Sequence, residues 1–206
     1  EYNVPPLTIA VESFQHLTIC AEENGAASIT INMDTDYANY ASKYEIKWYV
    51  GINTDPASAA LPFAEDVYEV EELGAGSYTV HVRNRTTSCF ATRVITIEDQ
   101  IVQPIVNISK EDITICSFDN GRAFASLRNP VASNSYEYEW FVGNHSFHPG
   151  TVPYSTSHTI DNLSAGDYTL FVTQRDINNI ALCTIRKMIT IEDISVNPTP
   201  VVIEAS

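Results

Sequence analysis

The chain contains two copies of one sequence pattern, and this internal repeat limits the possible folds more than any other feature. Five landmarks recur in the same order at offsets between 90 and 96 residues. In the first copy they are Cys20, Trp48, residues 73–78, Cys89 and residues 95–99, and in the second they are Cys116, Trp140, residues 163–168, Cys183 and residues 189–193. A period of this length is too long for a solenoid unit and suits a domain that buries its own core.

The repeat also sets the domain limits. Residues 1–100 form the first repeat and residues 101–197 the second. Residues 198–206 resemble the opening of the first repeat at residues 5–13, so we expect a third, truncated repeat to begin there. Both connections contain proline and lack Gly-Ser tracts, which favours semi-rigid linkage of successive domains.

Charge and hydropathy exclude two classes of partner. The net charge of −15 argues against nucleic acid, because binding it requires a basic face that displaces counterions. No apolar run is long enough to cross a bilayer, so membrane insertion is not expected. We expect the partners to be an extracellular surface or polysaccharide and neighbouring repeats of the same chain.

The hydrophobic pattern predicts an all-β chain. Its apolar segments are short, rich in Val, Ile, Thr, Tyr and Phe, and alternate in polarity without a sustained helical period. Strands are predicted near 7–13, 16–20, 27–33, 43–50, 66–70, 76–83 and 90–98 in the first repeat, and near 104–108, 112–116, 122–127, 136–142, 157–161, 166–173 and 183–191 in the second. About seven strands per domain predict two tandem immunoglobulin-like β-sandwich domains.

Two pairs of aromatic residues support the sandwich. Trp48 and Trp140 each lie in a strand whose residues alternate in polarity, at the position of the buried tryptophan in the third strand of an immunoglobulin-like domain. Tyr78 and Tyr168 follow a glycine turn at the start of the sixth strand, which is the position of a tyrosine corner. All four are predicted to be structural core residues.

Each repeat carries two cysteines at equivalent positions. This arrangement favours one disulfide per domain, Cys20–Cys89 and Cys116–Cys183, because only this pairing keeps the domains independent. Such bonds would indicate an oxidising, extracytoplasmic compartment. Buried free thiols are the alternative, while zinc is disfavoured because no Cys-x-x-Cys pair is present.

The order of these motifs resembles the SprB-type repeat of Bacteroidetes surface adhesins. The resemblance rests on the Asn24-Gly25 turn after Cys20, a Leu-x-Ala-Gly-x-Tyr element at 73–78, and a Cys-x-Ala start to the last strand at Cys89. The pattern occurs once in each repeat and so covers nearly the whole chain. It implies a role in surface attachment and gliding motility, and delivery to the bacterial cell surface by type IX secretion. The second repeat departs from the usual Asn-Gly-Cys before Cys183.

Candidate ligand sites are few. Calcium, which takes six to eight oxygen ligands, is the ion that the acidic residues favour, with Asp34, Asp36, Asp99 and Asp112 as candidate ligands. Solvation of an acidic surface is the alternative account of the same residues. None of the five histidines recurs in the other repeat, and no nucleophile, base and orienting group are grouped in the sequence, so we expect no enzyme activity.

The sequence therefore predicts a non-catalytic repeat segment of a large adhesin, acting as a rigid stalk or adhesive module. The alternative is a carbohydrate-binding accessory module of a secreted enzyme. In that case aromatic side chains in loops, among them Tyr37, Tyr40, Phe147, His148 and Tyr154, would stack on sugar rings.

Overall fold

The computed structural model describes residues 6–20, 22–32, 34–55, 57, 60–146 and 150–197. The chain divides into two compact units, Glu1–Val102 and Gln103–Ser206, called unit 1 and unit 2 below. The start of a third repeat at 198–206 lies outside the described residues. Within the described part of the chain, no helix is both long and apolar enough to span a membrane.

Unit 1 is a sandwich of two antiparallel sheets. Its strands are β1 (Ile9–Gln15), β2 (Gly25–Ile31), β3 (Tyr44–Val50), β4 (Ala64–Glu65), β5 (Glu69–Leu73), β6 (Gly76–Asn84) and β7 (Phe90–Ile97). One sheet has the order β1-β2-β5 and the other the order β4-β3-β6-β7. A short 3₁₀ turn, Tyr37–Asn39, and a single helical turn, α1 (Tyr40–Lys43), separate β2 from β3.

In its described residues, unit 2 repeats this plan with one strand fewer. Its strands are β8 (Ile105–Glu111), β9 (Gly121–Arg128), β10 (Ser135–Val142), β11 (Thr159–Leu163), β12 (Gly166–Arg175) and β13 (Ala181–Ile191). The sheets have the orders β11-β9-β8 and β10-β12-β13. The counterpart of β4 is a single bridge between Trp140 and Ser155. Both units are immunoglobulin-like β-sandwiches, so the predicted all-β fold class is confirmed.

The structure differs from the sequence prediction after the first strand of each unit. Residues 16–20 and 112–116 form no strand, and each segment makes one parallel bridge, Leu17 with Asp99 and Ile113 with Asp193. The reason in unit 1 is that the Asn24 side chain accepts the N–H groups of Thr18 and Ile19, at 2.9 and 3.3 Å. A side chain thus takes the backbone donors that a strand would have used.

Both cores contain the inward residues of the two sheets. In unit 1 the fully buried side chains include Ile29, Ile31, Ile46 and Val80, packed around Trp48. The β2 glycine lies where no side chain fits, because a Cβ on Gly25 would lie 2.4 Å from the Leu73 carbonyl oxygen. The equivalent position in unit 2 shows the same crowding, with a Cβ on Gly121 2.7 Å from the Leu163 carbonyl oxygen. The Asn-Gly element therefore serves sheet packing.

A bulge in the fifth strand is a feature that the alternating pattern did not predict. The buried residues of β5 are Val70 and Leu73, three positions apart, whereas simple alternation would bury residues two apart. Glu72 adopts a left-handed conformation (φ 55°) and restores Leu73 to the core. Asn162 does the same before Leu163 in β11 (φ 57°).

Candidate functional site

The two tryptophans lie at the centres of their sandwiches. Trp48 and Trp140 are both 0% exposed. Each indole N–H donates to a backbone carbonyl, to Val67 at 2.9 Å in unit 1 and to Ser157 at 2.9 Å in unit 2. A buried indole with its only donor satisfied is a packing residue and offers no face to a ligand.

The two tyrosines form tyrosine corners. The Tyr78 hydroxyl donates to the Gly74 carbonyl at 3.0 Å, and the Tyr168 hydroxyl donates to the Ser164 carbonyl at 3.1 Å. Burial raises the pKa of both phenols, so the hydroxyls stay protonated as donors. Each residue therefore holds the turn that precedes its strand, β6 in unit 1 and β12 in unit 2.

The cysteines are arranged differently from the prediction. Cys20 and Cys183 are disulfide-bonded, whereas Cys89 and Cys116 are free thiols. The predicted pairs Cys20–Cys89 and Cys116–Cys183 are therefore wrong.

The geometry of unit 1 explains why its two cysteines do not pair. The Leu17 N–H donates to the Glu98 carbonyl at 3.0 Å, which places the segment before Cys20 at the end of β7. Cys89 comes directly before the first residue of β7. The extended chain from Cys89 to Glu98 spans about 30 Å, and the three residues from Leu17 to Cys20 reach at most about 11 Å. The two Cα atoms are thus on the order of 20 Å apart, and a disulfide needs less than about 7 Å.

The same argument holds in unit 2. The Ile113 N–H donates to the Glu192 carbonyl at 2.9 Å, so Cys116, three residues later, lies near the end of β13. Cys183 lies near the start of that strand. The length of β13 separates the two thiols.

The carboxylates predicted to bind calcium in unit 1 are occupied by a lysine. The Lys43 ammonium lies 2.8 Å from Asp34 Oδ2 and 2.9 Å from Asp36 Oδ2. Its hydrogen bonds lower the pKa of both carboxyls. The lysine therefore already supplies the positive charge that a cation would bring to this loop.

The other two calcium candidates make local contacts within their own units. Asp99 Oδ1 accepts the Ile101 N–H at 3.0 Å. Asp112 Oδ1 lies 2.8 Å from the Lys110 ammonium, which lowers the pKa of Asp112, and accepts the Glu192 N–H at 2.9 Å. Among the described residues, no three His, Cys, Asp or Glu side chains are grouped to hold a metal.

Two of the aromatic residues proposed as a sugar platform, Tyr37 and Tyr40, are held by contacts within unit 1. Tyr40 is 1% exposed. Tyr37 stacks on Tyr68 with ring centroids 4.5 Å apart and donates to Glu12 Oε1 at 2.6 Å, a hydrogen bond that raises the pKa of Tyr37 to about 12. Tyr154 is exposed, and Phe147 and His148 lie outside the described residues.

The structure brings together a different set of residues on the outward face of the β4-β3-β6-β7 sheet. An open cavity of about 420 Å³ lies on this face. Its floor and rim include charged, polar and aromatic side chains from three strands: Glu45, Lys47, Tyr49, His81, Arg83 and Phe90. We call this set the outer cavity.

The floor of the outer cavity is held by the segment that follows β3. The His81 Nε2–H donates to the Asn53 carbonyl at 2.5 Å, and the Tyr49 and His81 rings lie 4.8 Å apart. Lys47 and Glu45 form an ion pair at 2.7 Å on the same face, and that contact lowers the pKa of Glu45. Charged, polar and aromatic side chains therefore share one open face of this sheet.

The corresponding face of unit 2 carries different side chains. Phe141 and Phe171 occupy it, with ring centroids 5.8 Å apart. Arg186 crosses it, since its Nε–H donates to the His145 carbonyl at 2.8 Å. The shared register of the strands therefore supports two different outward surfaces.

No protein-family model and no curated protein matches the chain. Three solved structures illustrate what it is similar to. The three N-terminal domains of the bacteriophage RB49 Highly Immunogenic Outer Capsid protein (Hoc) are 17% identical over 90% of this chain and 58% of that one, with a TM-score of 0.45. The S-layer protein SbsC, domains 7, 8 and 9, is 12% identical over 92% and 63% (TM-score 0.39), and the fibronectin(III)-like modules of Clostridium thermocellum CbhA are 12% identical over 90% and 95% (TM-score 0.28). None of these similarities identifies a ligand or a partner for this chain.

Proposed function

We propose that the chain is a non-catalytic segment of an extracellular bacterial adhesin, in which tandem immunoglobulin-like domains carry and space a binding surface. The SprB-type resemblance supports a place in gliding motility and surface attachment, with secretion by the type IX route. The disulfide-bonded cysteines support an oxidising compartment outside the cytoplasm.

One observation supports this proposal above the others. The contacts that are found inside both units are the ones that build the sandwich. Three contacts are the same in both units: the hydrogen bond of the buried indole, the tyrosine corner, and the close approach of the β2 or β9 glycine to a leucine carbonyl. A further repeated contact is made by the threonine of β6 or β12, since the Thr79 and Thr169 hydroxyls donate to the Gly51 and Gly143 carbonyls at 2.7 and 2.6 Å. Outward residues differ between the units, as expected for a module whose shared property is its stable fold.

The proposal is tested on cells that make the parent protein. Brief treatment of intact cells with protease should remove epitopes of both units if the chain is at the surface. The purified chain, added in excess, should compete with the cells for attachment to a polysaccharide-coated surface. Retention of every epitope after protease treatment of intact cells would contradict the surface location.

The carbohydrate-binding alternative now rests on the outer cavity and not on the loop aromatics. A glycan array probed with the chain separates the two functions. Lys47→Ala and Phe90→Ala change the cavity without touching the core, and Lys187→Ala in β13 is a charge-matched control in unit 2. Binding to one glycan class that only the cavity variants abolish would favour an accessory module over a spacer.

A further inference from the structure

The four cysteines fall into two structural types, one near each end of the sandwich. Cys20 and Cys116 follow the first strand, in a Thr-Ile-Cys segment whose backbone is held by the side chain of Asn24 or Asn120. Cys89 and Cys183 lie at the start of the last strand. We call them first-type and second-type cysteines.

One cysteine of each type is already oxidised. Cys20, of the first type, and Cys183, of the second, are disulfide-bonded, while Cys116 and Cys89 are free. Each free thiol therefore has an equivalent in the other repeat that forms a disulfide from the same local backbone. The repeat itself thus indicates that both positions are suited to bonding.

The free thiols are open to solvent in different degrees. Cys116 is exposed and Cys89 is partly exposed, whereas the bonded Cys183 is only 2% exposed. Pairing within a unit is excluded, because the two types lie at opposite ends of the last strand. The partner of each free thiol must come from outside its own unit.

We propose that Cys116 of one chain forms a disulfide with Cys89 of a second copy, which joins copies head to tail. A contact between two different surfaces is heterologous, so each added copy leaves one free thiol at either end, and the chains continue in series unless the two ends join in a ring. The inference depends on the cysteine geometry and not on the adhesive role, so it stands or fails separately from the proposed function.

The reaction requires an oxidant, for which we name a low-molecular-weight disulfide such as oxidised glutathione. The Cys116 thiolate attacks one sulfur of the oxidant and releases one glutathione thiolate. The Cys89 thiolate of the second copy then attacks the Cys116 sulfur of the mixed disulfide and releases the second glutathione. Two protein thiols are oxidised and one small disulfide is reduced to two thiols, and the two protons that the protein thiols lose are taken up by the two glutathione thiolates.

The experiment incubates the purified chain with oxidised glutathione, followed by non-reducing electrophoresis and peptide mapping. The wild type should give a ladder of dimers, trimers and higher species that reductant collapses. Because the chain carries a net charge of −15, added salt should speed the ladder by screening repulsion between copies. Peptide maps should recover Cys116 joined to Cys89.

Two single variants sharpen the test. Cys89→Ser and Cys116→Ser each leave one free thiol, so each alone can form nothing larger than a dimer. An equal mixture of the two should give the Cys116–Cys89 heterodimer in clear excess over the one-half fraction that random pairing predicts. Unchanged tryptophan fluorescence verifies that both variants are folded.

Four results would overturn the proposal. The first three are free thiols at both positions after oxidation, heterodimer at the statistical fraction, and a monomer in which Cys89 and Cys116 of one chain are joined. Ladder bands whose peptide maps contain Cys20 or Cys183 in place of the free pair would show exchange with the existing bond, and would also overturn it.

Discussion

Units 1 and 2 share the same β-sandwich framework, but the segment that connects their second and third strands has a different structure in each. In unit 1 the connection contains the 3₁₀ turn Tyr37–Asn39 and α1, and the buried Tyr40 hydroxyl accepts the Ile31 N–H at 3.1 Å and donates to the Asp34 carbonyl. In unit 2 the connection is the shorter segment 129–134, and the Tyr136 hydroxyl accepts the Val131 N–H at 2.8 Å. A tyrosine fixes each connection from a different position, so the sandwich constrains its core contacts and leaves its loops free to vary.

The largest expected effect tests whether the shared framework is equally important in both units. Trp48→Ala and Trp140→Ala should each destabilise their own unit by about 3–5 kcal/mol, since each leaves a cavity and an unpaired carbonyl. Urea denaturation followed by fluorescence reports the remaining tryptophan, and therefore the untouched unit, as an internal control. Amide hydrogen exchange measures how much unfolding free energy the altered unit has lost. If the loss in one unit is less than half of the loss in the other, the two tryptophans are not equivalent.

The second prediction sharpens the difference between the loops. Tyr40→Phe should destabilise unit 1 by about 1–3 kcal/mol, because it leaves the buried Ile31 N–H without an acceptor. Tyr136→Phe should cost unit 2 less, since Val131 and Tyr136 are only partly buried and water can replace the lost contact. In a Trp140→Phe background, Trp48 fluorescence during urea denaturation reports unit 1 alone, and the converse background reports unit 2. Equal losses of stability for Tyr40→Phe and Tyr136→Phe would show that burial does not determine how much each tyrosine hydrogen bond stabilises its unit.

Much of the shared framework was predictable, because its signals are local in the sequence. Alternation around Trp48 and the glycine turn before Tyr78 indicate the third and sixth strands without knowledge of the rest. The bulge at Glu72 was missed because its signal, three residues between Val70 and Leu73, contradicts simple alternation.

The cysteine pairing was predicted wrongly because residues 16–20 were predicted to form a second strand. Successive strands of a sandwich run in alternating directions, so the end of a second strand and the start of the seventh would lie at the same end of the domain. In the structure residues 16–20 form no strand, and the Leu17 N–H donates to the Glu98 carbonyl, so Cys20 lies near the end of β7 while Cys89 lies at its start. Sequence spacing matched the cysteines between repeats but did not show which end of the domain each occupies.

The outer cavity was not predictable in the same way. Lys47 and His81 face each other only through the register of β3 and β6, where they are directly paired. Phe90 reaches the same face through the next strand pair, opposite Arg83. Nothing in the linear sequence marks these separated positions as neighbours.

The third prediction concerns the bulge, where the two units differ by one residue type. A left-handed conformation disfavours most side chains and is tolerated by Asn. Glu72→Asn should therefore stabilise unit 1 by about 0.5–1 kcal/mol, and Asn162→Glu should destabilise unit 2 by a similar amount. Glu72→Gln is the matched control, since it removes the charge without easing the backbone. A gain for Glu72→Gln as large as that for Glu72→Asn would assign the effect to charge.

The smallest expected effect is the pH dependence of the lysine-held carboxylates. The folded pKa values of Asp34 and Asp36 lie below the ordinary value of 3.8, chiefly because of hydrogen bonds from Lys43. Their contribution to stability is therefore fully present well above pH 3.8 and declines as the pH falls through the lowered folded values. Asp112 in unit 2 follows the same sign through Lys110. The urea midpoint of each unit should fall between pH 6 and pH 3, and Lys43→Met should flatten that dependence in unit 1 while leaving unit 2 unchanged. Lys110→Met should do the reverse, and a pH profile that neither variant alters would show that these exposed pairs do not contribute to the stability of either sandwich.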